Sequence, residues 1–135
     1  MKVKSSFILF LVFVVTISQS SFVTDKPSEL AKLMKQMLAY IQQEKKQIEN
    51  NQTALPFPTN LQKVSKAKIT AGKKLVNEHE KYVRNFFQKL DVYNSTNDSS
   101  ERVVSFNLMV SSCVTCHKQE CPGPIQVIEK SLFKE

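Results

Sequence analysis

Cys113-Val114-Thr115-Cys116-His117-Lys118-Gln119-Glu120-Cys121-Pro122-Gly123-Pro124, CVTCHKQECPGP, holds all three cysteines of a 135-residue chain and one of its two histidines. Disulfide scaffolds spread an even number of cysteines along the chain and staple distant segments. An odd number crowded into one short stretch staples nothing distant, so two of them are expected to hold something other than each other. Upstream of the stretch, Val103, Phe106, Val110, Cys113, Val114 and His117 recur at steps of three and four. That spacing predicts a helix from about Glu101 to Gln119 with the cysteine–histidine cluster on its buried face, at its C-terminal end. Cys121-Pro122-Gly123-Pro124 then forces a turn, because proline cannot continue the hydrogen-bond ladder.

Working outward, the rest of the chain is also helical in pattern. Two glycines and no sustained alternation of apolar and polar residues argue against a sheet. A first helix is predicted from about Pro27 to Asn50, with Pro27 in its first turn and Thr24 or Asp25 as its cap. Its apolar stripe is Leu30, Leu33, Met34, Met37, Leu38, Ile41 and Ile48. Thr53 to Thr59 carries two prolines and is a loop. A short helix from Asn60 to about Ala67 turns Leu61, Val64 and Ala67 inward. A long helix from about Gly72 to Tyr93 shows a wide apolar face of Leu75, Val76, His79, Tyr82, Val83, Phe86, Phe87 and Leu90. Asn94 to Ser100 is a polar loop, with Ser100 positioned to cap the helix that carries the cluster. Ile125 to Phe133 closes the chain as a further helical segment. Three long amphipathic helices and one short one, joined by modest connections, predict an all-α fold packed as an antiparallel four-helix bundle.

The N-terminus reads differently. Lys2 and Lys4 precede an apolar run from Phe7 to Ile17, and Ser18 and Ser20 are small residues suited to cleavage. Residues 1–20 therefore read as a secretory signal peptide, and residues 21–135 as one mature domain. The apolar run falls short of the roughly 20 residues that a membrane span requires. An uncleaved N-terminal anchor is the rival. Cleavage removes two lysines and no acidic residue, taking the formal charge from +7 to +5. The lysines are scattered and often sit beside glutamates, without the interleaved basic and aromatic residues of a nucleic-acid face. No nucleic-acid partner and no membrane span after cleavage are expected, and the location is periplasmic or secreted.

Cys113-x-x-Cys116-His117 is the attachment signature of c-type haem. Two thiols three residues apart project from one side of a helix and can form thioethers with the two vinyl groups of haem. The histidine that follows lies one turn from the first cysteine and is set to ligate iron from beneath the ring. With cysteine and histidine each near 2% of residues, chance produces the motif on the order of once per thousand chains of this length. Other chemistries remain open. A thioredoxin-like dithiol sits at the start of a helix after a strand, not late in a helix. Zinc could take Cys113, Cys116, His117 and Cys121, although a second, separated ligand pair is missing. A plain disulfide is the third.

With this motif on its last long helix, the chain resembles the cytochrome c′-like, class II, cytochromes c. Within them LMKQM, LPFP and CVTCH…CPGP are similar to a subgroup with a Cys-Pro-Gly-Pro turn after the haem motif. The resemblance implies a four-helix bundle carrying haem c on Cys113 and Cys116, with His117 as the proximal iron ligand. It implies exported electron transfer with redox partner proteins, and a homodimer through the first helix is one arrangement found among class II relatives. Lys118-Gln119-Glu120-Cys121 replaces the aromatic–arginine pair that tends to follow the haem histidine in better-known members.

In class II cytochromes the first helix faces the other side of the iron. Here it offers Met34 and Met37 as candidate sixth ligands, which would favour electron transfer; both also suit a role as flexible core fillers. An apolar residue in that place would leave iron open to NO or CO, the alternative function. A second alternative is a non-haem secreted helical interaction protein whose cysteines form disulfides. No acid–base pair or nucleophilic constellation accompanies the cluster, so no enzymatic turnover is expected. Tyr82, Phe86 and Phe87 are placed to pack on a haem ring, His79 is a helix histidine on an apolar stripe, and Lys26, Lys32 and Lys35 are candidates to pair propionates.

Overall fold

A computed structural model describes residues 26–134. The expected signal peptide, residues 1–20, and the candidate caps Thr24 and Asp25 lie outside them. The described residues are helical and contain no strand. The elements are α1 (Glu29–Glu49), a 3₁₀ helix (Thr59–Lys66), α2 (His79–Ser95), α3 (Ser99–Glu120) and the short α4 (Ile125–Glu129).

Helix α1 starts at Ser28, whose hydroxyl accepts from the Ala31 N–H at 3.2 Å. Pro27 therefore stands just outside the helix rather than in its first turn. The end follows from Asn51, whose φ of 51° lies in the left-handed region that asparagine tolerates better than most residues. The Gln52 N–H returns to the Gln47 carbonyl at 2.8 Å and the Asn51 N–H to Ile48 at 3.0 Å. This Schellman arrangement satisfies carbonyls that the helix end would otherwise leave open.

The short helix expected after Pro58 is present, but as a 3₁₀ helix. Leu61, Val64 and Ala67 are all buried. They are spaced by three and three, the period of a 3₁₀ helix and not the 3.6 of an α-helix. The helix expected from Gly72 begins only at His79. Gly72, at φ 77°, turns the chain, and Lys73 closes that turn onto the Thr70 carbonyl at 3.0 Å. Lys73 and Lys74 would also sit poorly at the positive end of a helix. The Val76 N–H is taken at 3.1 Å by the carboxylate of Glu120, from the far end of α3. Val76, expected in the core, is 37% exposed.

Asp98, not Ser100, caps α3. Its carboxylate accepts from the N–H of Ser100 at 2.9 Å and of Glu101 at 3.0 Å, and from the Ser100 hydroxyl at 2.6 Å. Those bonds hold its pKa below the ordinary value. At the other end Cys121 is extended, with φ −160° and ψ 93°, as a following proline favours.

Helices α2 and α3 form an antiparallel hairpin, the most extensive packing in the molecule. Tyr93 near the end of α2 stacks edge-on against Phe106 near the start of α3, with ring centroids 5.8 Å apart. His79 at the start of α2 meets Glu120 at the end of α3. Helix α1 lies against α3 and the 3₁₀ helix, while α4 folds back on α3. The Asn107 side chain clamps the closing segment by accepting from the Phe133 N–H at 2.9 Å and donating to its carbonyl at 3.1 Å. The core runs through Leu33, Met37, Tyr40 and Ile41 of α1, Phe86, Leu90 and Tyr93 of α2, and Phe106, Met109, Val110 and Val114 of α3.

Candidate functional site

Cys113, Cys116 and His117 stand at i, i+3 and i+4 in the last turns of α3, and that spacing gives them one face of the helix. They line an apolar pocket with Met34 and Met37 of α1, Val64 of the 3₁₀ helix, Tyr82, Val83 and Phe86 of α2, and Ser112 of α3. The five residues named for haem, two tethers, a proximal histidine and two candidate methionines, thus border one pocket, while Cys121 of the zinc set does not. The pocket encloses about 50 Å³. A wider groove of about 250 Å³ elsewhere is lined by Gln42, Lys45, Lys46, Glu49, Lys130 and Ser131, and contains no cysteine or histidine.

The imidazole of His117 is buried, and its Nδ1 faces the Cys121 carbonyl at 3.1 Å and the Cys121 Sγ at 3.3 Å. A carbonyl oxygen can only accept, so the contact assigns the proton to Nδ1 and leaves the Nε2 lone pair free. Metal-ligating histidines are oriented in this way, by a backbone carbonyl or carboxylate on the second nitrogen. The donor chemistry therefore suits a histidine-ligated iron flanked by two tethering sulfurs.

Both pocket cysteines are poor nucleophiles. Burial, and secondarily the neighbouring Cys116, push the Cys113 thiol up to about 12. Burial, followed by the Glu120 carboxylate, pushes Cys116 up to about 11. A reactive redox dithiol needs the opposite shift, toward or below neutrality. The zinc alternative also lacks its geometry: among the described residues no three of His, Cys, Asp and Glu converge on a metal position. None of the three cysteines is paired with another.

Several expectations change in detail. Cys121, the fourth donor of the zinc alternative, is exposed. Tyr82 and Phe86 line the pocket, but Phe87 does not; it packs edge-on against Phe57 with centroids 5.7 Å apart. His79 is buried, and its Nδ1 meets the Glu120 carboxylate at 3.1 Å. It is absent from the pocket wall, while its Nε2 is buried without a partner. Lys26, Lys32 and Lys35 are exposed. Val64 and Val83 are inward-facing as expected and now also line the pocket, whereas Ser112 in its wall and Glu120 beside His79 had no expected role. For Val64 the signal was the threefold apolar period; for Glu120 it was its position four residues beyond Cys116. Compared with protein-family models, characterised proteins and solved structures, the chain matches none.

Proposed function

We propose that this chain is an exported monohaem c-type cytochrome of the cytochrome c′-like kind, which carries electrons and does not turn over a substrate. One observation carries the reading. Cys113, Cys116 and His117 on α3 share an apolar pocket with Met34 and Met37 on α1, so tethers, proximal ligand and candidate distal ligands border the same space. In this reading α1, the 3₁₀ helix, α2 and α3 are the four members of the bundle, with the second member shortened.

Haem c would be held by thioethers to Cys113 and Cys116, with His117 as its axial ligand, and would supply a one-electron iron couple. The chain's own residues do the remainder. The Cys121 carbonyl engages Nδ1 of His117 at 3.1 Å and fixes the orientation of the ring. Val64, Val83 and Phe86 give an apolar, water-poor wall, which favours the less charged reduced iron. The pocket is smaller than a porphyrin, so seating one requires its walls to move apart. Met37 belongs to the packed core, whereas Met34 does not. Met34 is therefore the methionine freer to turn toward iron.

Absorption spectra of the protein, produced in a host that matures c-type haem, test the proposal. Sharp low-spin bands that do not change with CO are expected. A broad high-spin spectrum that shifts with CO would make this a gas-binding haem protein instead. A colourless protein would remove haem altogether.

A further inference from the structure

The exit turn of α3 contains a device that haem attachment alone does not call for. Cys121 stands four residues after His117 and immediately before Pro122. The proline disfavours the helical region for Cys121, and the residue is extended at φ −160° and ψ 93°. Its N–H still closes the helix on the His117 carbonyl at 3.1 Å. Its own carbonyl and its sulfur both fold back onto Nδ1 of His117, at 3.1 and 3.3 Å. The carbonyl is the stronger acceptor, and the sulfur, a weak one, shares the same proton. The ring is buried while Cys121 is exposed, so the contact joins a buried imidazole to a thiol that solvent can reach.

We propose that Cys121, held extended by Pro122, is the positioning residue of His117: its carbonyl and thiol together fix the Nδ1–H tautomer, and chemistry at the exposed thiol is transmitted to the imidazole. This rests on His117 being the iron ligand for its consequence, but not for its geometry. A strong hydrogen bond from Nδ1 makes the imidazole a better donor through Nε2. Losing part of it should raise the midpoint potential and, read in a background lacking the methionine ligand so that the ferrous iron is five-coordinate, lower the iron–histidine stretching frequency.

The test compares the full chain with Cys121→Ala, Cys121→Ser and Pro122→Ala, all from the same haem-maturing host. Cys121→Ala keeps the carbonyl and should raise the potential slightly; Cys121→Ser should restore it. Pro122→Ala, which releases the extended backbone, should raise it most, with the largest fall in stretching frequency. Alkylation of Cys121 by a maleimide, in which the S–H adds across the reagent's double bond, should shift both readouts in the wild type and in neither Cys121 variant. Unchanged potential and frequency in all variants would overturn the inference. If the protein carries no haem, the proposed function fails but the inference is still decided by ¹⁵N chemical shifts of His117. A protonated Nδ1 that changes in Pro122→Ala supports it, and a protonated Nε2 in the wild type refutes it.

Discussion

The two ends of the contact between α1 and the α2–α3 hairpin are built on opposite plans. At the C-terminal end of α1, Glu44 is fully buried. Its carboxylate accepts from the Tyr93 hydroxyl at 2.5 Å and from the Leu55 N–H at 2.8 Å. Arg102 donates to the Tyr93 oxygen at 3.2 Å and to the Gln52 carbonyl at 2.5 Å. Burial, with Glu44 adding to it, holds the Tyr40 and Tyr93 phenols well above their ordinary range. Toward the N-terminal end of α1 the polar contacts among the described residues are single and exposed: Asn60 donates to Gln36 at 2.7 Å and the Lys68 N–H to Glu29 at 2.9 Å. Two methionines face two cysteines and a histidine across an apolar gap. One end uses polar groups to lock three elements and the proline loop in a single register. The other holds donor atoms that make few contacts with each other and are available to something else. A buried polar group with every partner in place reads as architecture; sulfur and imidazole donors beside a pocket read as a site.

Substitutions should separate the two ends cleanly. The largest stability loss is expected for Glu44→Ala, which strands the Tyr93 hydroxyl and the Leu55 N–H: about 3 kcal/mol by urea unfolding, with the haem spectrum unchanged. A spectral change at equal stability would move Glu44 from the scaffold to the site.

Alkaline pH gives the next effect, and it differs between forms. In the haem-free chain Cys113 sits at about 12 and Cys116 at about 11, against an ordinary 9.0. The unfolded thiols ionise first, so stability is intact below about pH 9 and is lost as pH rises toward 11 and 12. In a haem-tethered protein those two sulfurs would be thioethers and could not ionise, which leaves the losses due to Cys121, Tyr40 and Tyr93, whose pKa values are also raised. Unfolding curves of both forms between pH 8 and 11 measure the difference; identical slopes would contradict thioether attachment.

Asp98→Ala removes the cap of α3 and should cost about 1 kcal/mol. Its pKa is lowered in the folded protein, so the stability it contributes is present at neutral pH and lost on acidification below the ordinary carboxylate range. A flat acid limb in the variant checks this. The smallest stability change is expected for Met34→Leu, under about 1.5 kcal/mol because volume is conserved. It should nevertheless convert low-spin iron to high-spin. If Met37→Leu does so instead, the ligand is Met37; if neither does, no methionine ligates.

The juxtaposition of the candidate site residues was more legible than the scaffold around them. Cys113, Cys116 and His117 announce themselves by type and spacing, and Met34 and Met37 fall on a helical stripe that any periodic count finds. The all-helical class followed from the same periodicity, and the ends of α1 and α3 lie within two residues of expectation, although Pro27 stands outside α1 and Asp98 caps α3 in place of Ser100. The late start of α2 did not follow, because Val76 is claimed by a carboxylate that arrives from residue 120. The apolar pattern from Leu75 onward fits a helix locally, and only the tertiary bond shows otherwise. The 3₁₀ helix is half visible in the sequence: Leu61, Val64 and Ala67 mark its inward face, and their strict period of three is the sign of the tighter helix. Glu44 was hidden by its charge. It lies on the stripe of Met37, Ile41 and Ile48, yet a glutamate there reads as solvent-facing until Tyr93 and Leu55 supply its partners.

The most direct measurement is the intact mass of the protein exported by a host that attaches haem, with its free thiols counted after denaturation. The account predicts the chain cleaved near Ser20 plus the mass of one haem, and a single titratable thiol, that of Cys121. A mass equal to the bare polypeptide, with three thiols or with one beside a disulfide, would contradict it.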